Sequence, residues 1–529
     1  MFNFTEKSNH GDHQDVTTKF TPHFILFLLL FSVAVFFAFY GAVKSLWLDE
    51  AYSVFVSGQS FSGIVAELYN DTHPPLYYLL LSIWMKIFGT GELAVRALSG
   101  TFYLLSVTAI YLAGRAVYEH QTGLLAGFLY ALSPLATGTA QSARMYSLLG
   151  FFSVLSLFLF VRYFIQKDER QFVFCSLALV NALGALTHIW FFFLIAGEIL
   201  AYLILCYPKS RSAAVKILLL SLAPFVVLWL PVLLVQLQNN ATVWLERPGF
   251  AELATIFLGF YGERIALVVY PAFALLLIFS LQIRSPEHRR GNFAALKQFC
   301  AARKNLAFIL IFSSAILIPF LVSQFKPIFG QTRYAIIALP ALVLPLAALL
   351  RRFVNQVLLL VFCVLMLGFI GFAFVRYHNR AEPCSDRNKT AQLLENAEEN
   401  DVLIFTSLSR LPTEYYLKRA QAENKFVRLT FPREIESHPG WRNEEKMLVN
   451  RAALEQEAEN LITDLKQLSS EKPRRIWLLY GLDRAVSDIL KQKLDAQLVL
   501  ETRIDASCAG LSGKPSELFY TEIAAYKSN

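Results

Sequence analysis

Two adjacent carboxylates, Asp49 and Glu50, stand in Ser45-Leu46-Trp47-Leu48-Asp49-Glu50-Ala51-Tyr52-Ser53, just past the first long apolar segment. A second polar cluster follows at Asn70-Asp71-Thr72-His73-Pro74-Pro75-Leu76-Tyr77-Tyr78. Acidic groups and a histidine at the edge of apolar segments are expected to do chemistry, bind an ion or pair with a cation. A carboxylate in such a place suits a hard divalent cation, which takes oxygen ligands. It suits equally a general base that removes a proton from an incoming hydroxyl.

Further polar groups fall at the same edge once the apolar segments are placed. They are Arg144 and Tyr146 in Gln141-Ser142-Ala143-Arg144-Met145-Tyr146, His188 between two apolar runs, Arg247, Lys326, and Arg333-Tyr334. Arginine suits phosphate because its planar fork donates two parallel hydrogen bonds. Together these groups fit a substrate with a membrane-embedded tail and a phosphate at headgroup level. In glycosyl transfer, one group must take the acceptor's proton and another must neutralise the leaving oxygen, a role a cation can fill when that oxygen belongs to phosphate. Plainer readings stand beside this one. Arg144 also reads as a side chain snorkelling to headgroups, and Arg333-Tyr334 as an interfacial anchor. His188 reads as a structural histidine, and Asp71 or Thr72 as the cap of a helix opened by Pro74-Pro75.

The elements that must position these residues are membrane helices. The 529 residues are 55% hydrophobic, 14% aromatic and only 17% charged, with 46 phenylalanines. The mean hydropathy is +0.46. The net charge of +8 is no nucleic-acid footprint, because the basic residues sit mostly in short loops between apolar runs, as topology requires. Residues 1–21 are polar, and the run from Phe24 to Val43 is about 20 residues, enough to span a bilayer. No small-residue cleavage site follows it, so it reads as a retained first helix. Ten further apolar runs centre near residues 105, 130, 154, 180, 198, 225, 273, 315, 342 and 365. Lys and Arg favour one set of loops about two to one, which puts that set and the N-terminus in the cytoplasm. This count holds only if Pro74–Phe88, about 15 apolar residues, is an external interfacial or re-entrant helix rather than a span.

After Tyr377 the composition changes. Residues 401–406, 476–480, 497–504 and 518–526 read as strands, with helices near 412–419 and 483–494, a small α/β unit with a partly parallel sheet. Cys384 and Cys508 lie in this part, where an oxidising periplasm would allow them to pair; two free thiols are the other reading. The fold class is therefore an all-α multi-pass membrane domain of about eleven spans plus juxtamembrane helices, with a C-terminal soluble α/β domain. The division is a cytoplasmic arm at 1–22, a membrane domain at 23–378 and a periplasmic domain at 379–529.

This pattern resembles the C superfamily of glycosyltransferases (GT-C), and within it the protein O-mannosyltransferases of family 39 and the bacterial lipid A aminoarabinose transferase. The resemblance rests on Asp49-Glu50 after the first span and on His73-Pro74-Pro75-Leu76-Tyr77-Tyr78. It rests also on Ala143-Arg144-Met145-Tyr146, Thr187-His188, and Gln331-Thr332-Arg333-Tyr334 running into Leu339-Pro340-Ala341-Leu342. It covers roughly residues 24–375. It implies a membrane glycosyltransferase with a polyprenyl-phosphate sugar as donor and transfer to an unidentified acceptor outside the inner membrane, usually with inversion. Asp49 would be the catalytic base with Glu50 beside it, and Arg144, Tyr146, Arg333 and Tyr334 would bind the donor phosphate. Asp71, His73 and His188 would support the site, and Asp49, Asp71 and His73 would be the ligands of any divalent cation such as Mg or Mn. The rival reading, a transporter or lipid flippase, expects repeated halves with broken helices and charges at mid-membrane. No internal repeat is evident, and the polar cluster lies at one face.

Overall fold

The computed structural model of the chain describes residues 22–239, 245–262, 265–271, 274, 298–299, 301–329, 332–379, 385–406, 409–433, 447–471, 474–480, 484–504 and 522–527. The first helix, Pro22–Phe39, ends before the expected Val43. Gly41 follows with a φ of 78°, the left-handed conformation that commonly terminates a helix. The chain then turns through residues 42–47 and starts a new helix, Leu48–Ser57, with Asp49 and Glu50 in its first turn. Carboxylates there interact favourably with the exposed N–H groups and the helix dipole. Helix Phe61–Leu68 follows, capped by Ser60, whose hydroxyl accepts from Gly63 N–H at 3.1 Å. Next comes Leu76–Phe88 with 13 residues, about 20 Å of helix against about 30 Å of hydrocarbon.

Among the described residues, five helices have the length and apolar composition to cross a membrane: Glu92–Val117, Tyr146–Ile165, Arg211–Leu228, Arg303–Val322 and Gln356–His378. His120–Ala131 and Pro134–Ala140 meet at a 66° bend and would make a sixth as one broken span. The break has a local cause: Ser133 caps the second piece and Pro134 occupies its first turn, where a missing N–H does no harm. Gln171–Thr187, Phe191–Leu205 and Leu339–Phe353 are shorter apolar helices. The expected span near residue 273 falls largely outside the described residues. Helices 92–117 and 120–131 pack with backbones in close approach, since a Cβ on Gly114 would come 2.7 Å from Gly123 Cα. Small residues permit that approach between membrane helices. Deep in the bundle, the Glu198 carboxylate accepts from Asn181 Nδ2 at 2.8 Å and from the Ser156 hydroxyl. This is the interhelical bonding that a costly buried carboxyl requires.

Among the described residues, the C-terminal part carries a five-stranded sheet in the order β2-β1-β3-β5-β4. The strands are β1 (Val402–Thr406), β2 (Val427–Phe431), β3 (Arg475–Tyr480), β4 (Val499–Ile504) and β5 (Glu522–Lys527). β1 pairs parallel with β2 and β3, while β5 runs antiparallel to β3 and β4. Alternate residues feed two cores: Val402, Ile404, Ile476 and Leu478 on one face, Leu403, Phe405, Trp477 and Leu479 on the other. A sheet buried on both faces reads as an unbroken apolar run, which is why β1 and β3 were expected and the mixed edge strand β2 was not. The helix Arg410–Arg419 joins the two halves. Its Leu417 enters the sheet core, and its Leu411, Tyr415 and Tyr416 enter the membrane core. Cys384 and Cys508, read from the sequence either as a disulfide or as two free thiols, lie outside the described residues.

Candidate active site

Starting helix 48–57 at Leu48 sends its two acids in different directions, because successive residues turn about 100° apart around a helix. Asp49 faces the loop that carries Arg144 and the 3-10 turn Thr332–Ile337 that carries Arg333. Its Oδ2 lies 3.2 Å from Arg333 Nη2 and 4.0 Å from Arg144 Nε. Arg144, only 4% exposed, donates from Nη1 to the Asp49 carbonyl (3.2 Å), the Ser53 hydroxyl (3.2 Å) and the Tyr78 hydroxyl (3.4 Å). Asp49 and Arg333 keep 26% and 27% exposure. Groups separated by up to 284 positions in the chain thus share one partly open site.

Several donors in that site are unused. Arg144 Nε, Arg333 Nε and the Tyr146 hydroxyl are buried with no hydrogen-bond partner among the described residues. Buried polar atoms are normally satisfied, so each such exception asks for a partner. Aromatic faces hold the cations in place: the Arg333 guanidinium lies 5.3 Å from the ring centroids of both Trp47 and Tyr146. Tyr334 packs on Tyr146 at 5.8 Å and on His188 at 5.1 Å. His188 in turn packs on Tyr146 at 5.8 Å and on His73 at 5.3 Å, so it joins the two polar clusters as a packed ring.

Asp71 sits in the second cluster. His73 Nδ1 is 3.2 Å from both of its oxygens, and the Tyr78 hydroxyl donates to Oδ2 at 3.1 Å. Burial pushes the Asp71 carboxyl up, but the His73 charge and hydrogen bond, with Arg144 beyond, outweigh it and bring the pKa to about 2. Tyr78 is the link between Asp71 and Arg144, and its role was not anticipated from the sequence.

Glu50 departs from the expected catalytic role. It is wholly buried and its oxygens are engaged: Arg96 Nε and Nη2 donate at 2.8 and 2.5 Å, and Ala143 N–H donates at 2.8 Å. Such a carboxylate has no face left for substrate. It clamps the residue that precedes Arg144. Arg96 was not among the residues singled out from the sequence. Its real setting, 5% exposed with all five of its N–H groups directed at acceptors, depends on a partner 46 positions away that no local pattern signals.

The metal expectation is a poor match to these donors. Among the described residues no three or more His, Cys, Asp and Glu side chains are grouped to hold a metal ion. Asp49 already faces two guanidinium groups, and Asp71 with His73 forms a separate hydrogen-bonded pair. A divalent cation on Asp49 would meet like charge from Arg144 and Arg333. Arg247 is exposed, and Gln331 lies outside the described residues.

Comparisons with known proteins bear on this site. Residues 72–235 match the family of dolichyl-phosphate-mannose-protein mannosyltransferases. A protein of Aquifex aeolicus is 32% identical over 196 residues, 35% of this chain and 38% of that relative, so the alignment spans well under half of either chain. Crystal structures of ArnT from Cupriavidus metallidurans match over 94% of this chain and 97% of theirs. The apo form has 12% identity and a TM-score of 0.61, and the form bound to undecaprenyl phosphate has 13% and 0.58. At that identity the likeness concerns the fold, and it includes the C-terminal part. The chain is thus similar over residues 72–235 to a mannosyltransferase family, and it shares the overall fold of ArnT.

Proposed function

We propose that the chain moves a sugar from a polyprenyl-phosphate carrier to the hydroxyl of an acceptor (a glycan, a lipid or a protein) at the outer face of the inner membrane. One observation carries the reading. A single carboxylate, Asp49, faces two guanidinium groups whose Nε donors are unused. The surplus positive charge and the spare donors suit a phosphate, and a carboxylate beside them suits a base. ArnT from Cupriavidus metallidurans, which shares the fold, has been crystallised with undecaprenyl phosphate. The topology with eleven spans, a cytoplasmic N-terminus and a periplasmic C-terminal domain belongs to this proposal.

In the reaction, the acceptor oxygen attacks the anomeric carbon from the side opposite the phosphate. The new C–O bond forms as the bond from that carbon to the phosphate oxygen breaks. The acceptor proton passes to Asp49, and the electron pair of the broken bond stays on the carrier phosphate. Arg144 and Arg333 neutralise the charge that develops there. Held by packing before substrate arrives, they need little reorganisation during the step. Asp71, His73 and His188 act from behind, through Tyr78 and Tyr146. No step passes through a metal.

The test is Asp49→Asn in a transfer assay with a defined polyprenyl-phosphate sugar. The proposal expects turnover to drop by about 10²–10⁴-fold, the range for a general base, with normal yield of folded protein. Turnover equal to wild type would remove Asp49 as the base.

A further inference from the structure

Arginines take the carbonyls of four consecutive residues in the turn that leads to Asp49. Arg96 donates to Ala42, Lys44 and Ser45 at 2.8, 2.5 and 2.9 Å, and Arg387 donates to Val43. The same turn is held from the C-terminal part at two more points. Tyr416 Oη accepts from Leu46 N–H at 2.8 Å and bonds the Ser45 hydroxyl at 3.0 Å, while Arg387 N–H donates to Ser45 Oγ at 3.3 Å. Tyr415 adds a bond from its hydroxyl to the Thr90 carbonyl at 2.8 Å. Beyond the turn the connection continues inward. Arg96 holds Glu50, and Glu50 holds Ala143 N–H, next to Arg144.

We infer that the C-terminal α/β part positions the phosphate-binding arginine, with Tyr416 as a positioning residue acting through the 42–46 turn, Arg96 and Glu50 on Arg144. The inference rests on the function proposed above. From Tyr416 to Ala143 each joint is a hydrogen bond between buried or half-buried groups, the Arg387–Val43 bond alone being exposed, and the Arg96 fork carries the middle of the path, so displacement at one end has few soft torsions to absorb it. A misplacement of about 1 Å at a site of this kind costs about 10²-fold in rate. The two-sided burial of helix 410–419, with Leu417 in one core and Tyr415 and Tyr416 in the other, gives the sheet a rigid purchase on the turn. This assigns the C-terminal part a task inside the reaction rather than beside it.

Tyr416→Phe keeps the ring and removes the acceptor of Leu46 N–H. The experiment measures binding of undecaprenyl phosphate to the full chain in detergent, for wild type, Tyr416→Phe, Arg144→Lys and the double variant, each normalised to folded protein. The expected result is about tenfold weaker binding for Tyr416→Phe, the scale of one unsatisfied buried donor, and no further loss from it in the Arg144→Lys background. Wild-type affinity in Tyr416→Phe, or the same loss with and without Arg144, overturns the inference and leaves the proposed function standing. Absence of binding by wild type overturns the proposed function and this inference with it. Should Tyr416→Phe fail to fold, Ser45→Ala cuts the neighbouring joint and is read the same way.

Discussion

Helix 48–57 serves two arginine–carboxylate clusters that are built from the same chemistry and left in different states. Around Glu50, every donor of Arg96 meets an acceptor, and exposure is 6% and 0% for the two side chains. Around Asp49, two guanidinium groups share one carboxylate, a quarter of it is exposed, and two Nε donors and a tyrosine hydroxyl are unused. Charge and residue type do not separate the two clusters; completeness of hydrogen bonding does. A saturated cluster holds parts together, and an unsaturated one at an accessible edge waits for a ligand. The contrast also explains why adjacent acids take unlike tasks.

The largest effect should come from opening the closed cluster. Arg96→Ala leaves the Glu50 carboxylate buried without its cation, a loss of about 3–5 kcal/mol for a broken buried pair. The expectation is a sharply lower yield of folded protein and a lower melting temperature in detergent. Arg96→Lys should recover little, because an ammonium has three donors where the site uses five. A melting curve for Arg96→Ala that overlays wild type would erase the distinction between the clusters.

Removing cations from the open cluster should do the reverse. Arg333→Ala is expected to fold, since its side chain is partly exposed and held mainly by ring faces and one ion pair. Turnover should fall by about 10²–10³-fold, the usual cost of losing one preorganised donor to developing charge. Transfer rate and melting temperature, measured on the same sample, separate this result from the Arg96 one. Loss of stability with retained turnover would invert the assignment.

A smaller effect is expected at Asp71. Its pKa of about 2 lies below the ordinary 3.8, so its ionised form is stabilised by folding. That contribution is complete above about pH 4 and is lost as pH falls toward 2. Asp71→Asn should lower stability at neutral pH by about 1.5–3 kcal/mol, the scale of hydrogen bonds to a charged group, and flatten the acid limb of a stability profile taken from pH 5 to pH 2. An acid limb that is unchanged in the variant would mean that Asp71 is not the group titrating there.

Much of the site could be read from the chain because its members are costly where they stand. Asp49, Arg144, His188 and Arg333 each interrupt apolar sequence at a helix end, and the order of the spans brings those ends to one side. What could not be read was direction. Asp49 and Glu50 looked alike until the helix start at Leu48 set them about 100° apart. Arg96 drew no notice because three of its five acceptors are backbone carbonyls, which have no sequence signature, and the other two belong to a carboxylate 46 positions away. Tyr78 looked like part of a helix opening, and its bond to Asp71 comes from the bend at Pro74-Pro75. In the C-terminal part, β1 and β3 announced themselves as apolar runs, whereas β2 alternates Val427, Arg428, Leu429 and Thr430 at the sheet edge and sat among charged neighbours.

The most direct test of the account is the position of a bound carrier. A cryo-electron microscopy map of the full chain with undecaprenyl phosphate should place the phosphate between Arg144 and Arg333, beside Asp49, with Arg96 and Glu50 still paired. Phosphate density at any other place, or at Arg96 in exchange for Glu50, would contradict it.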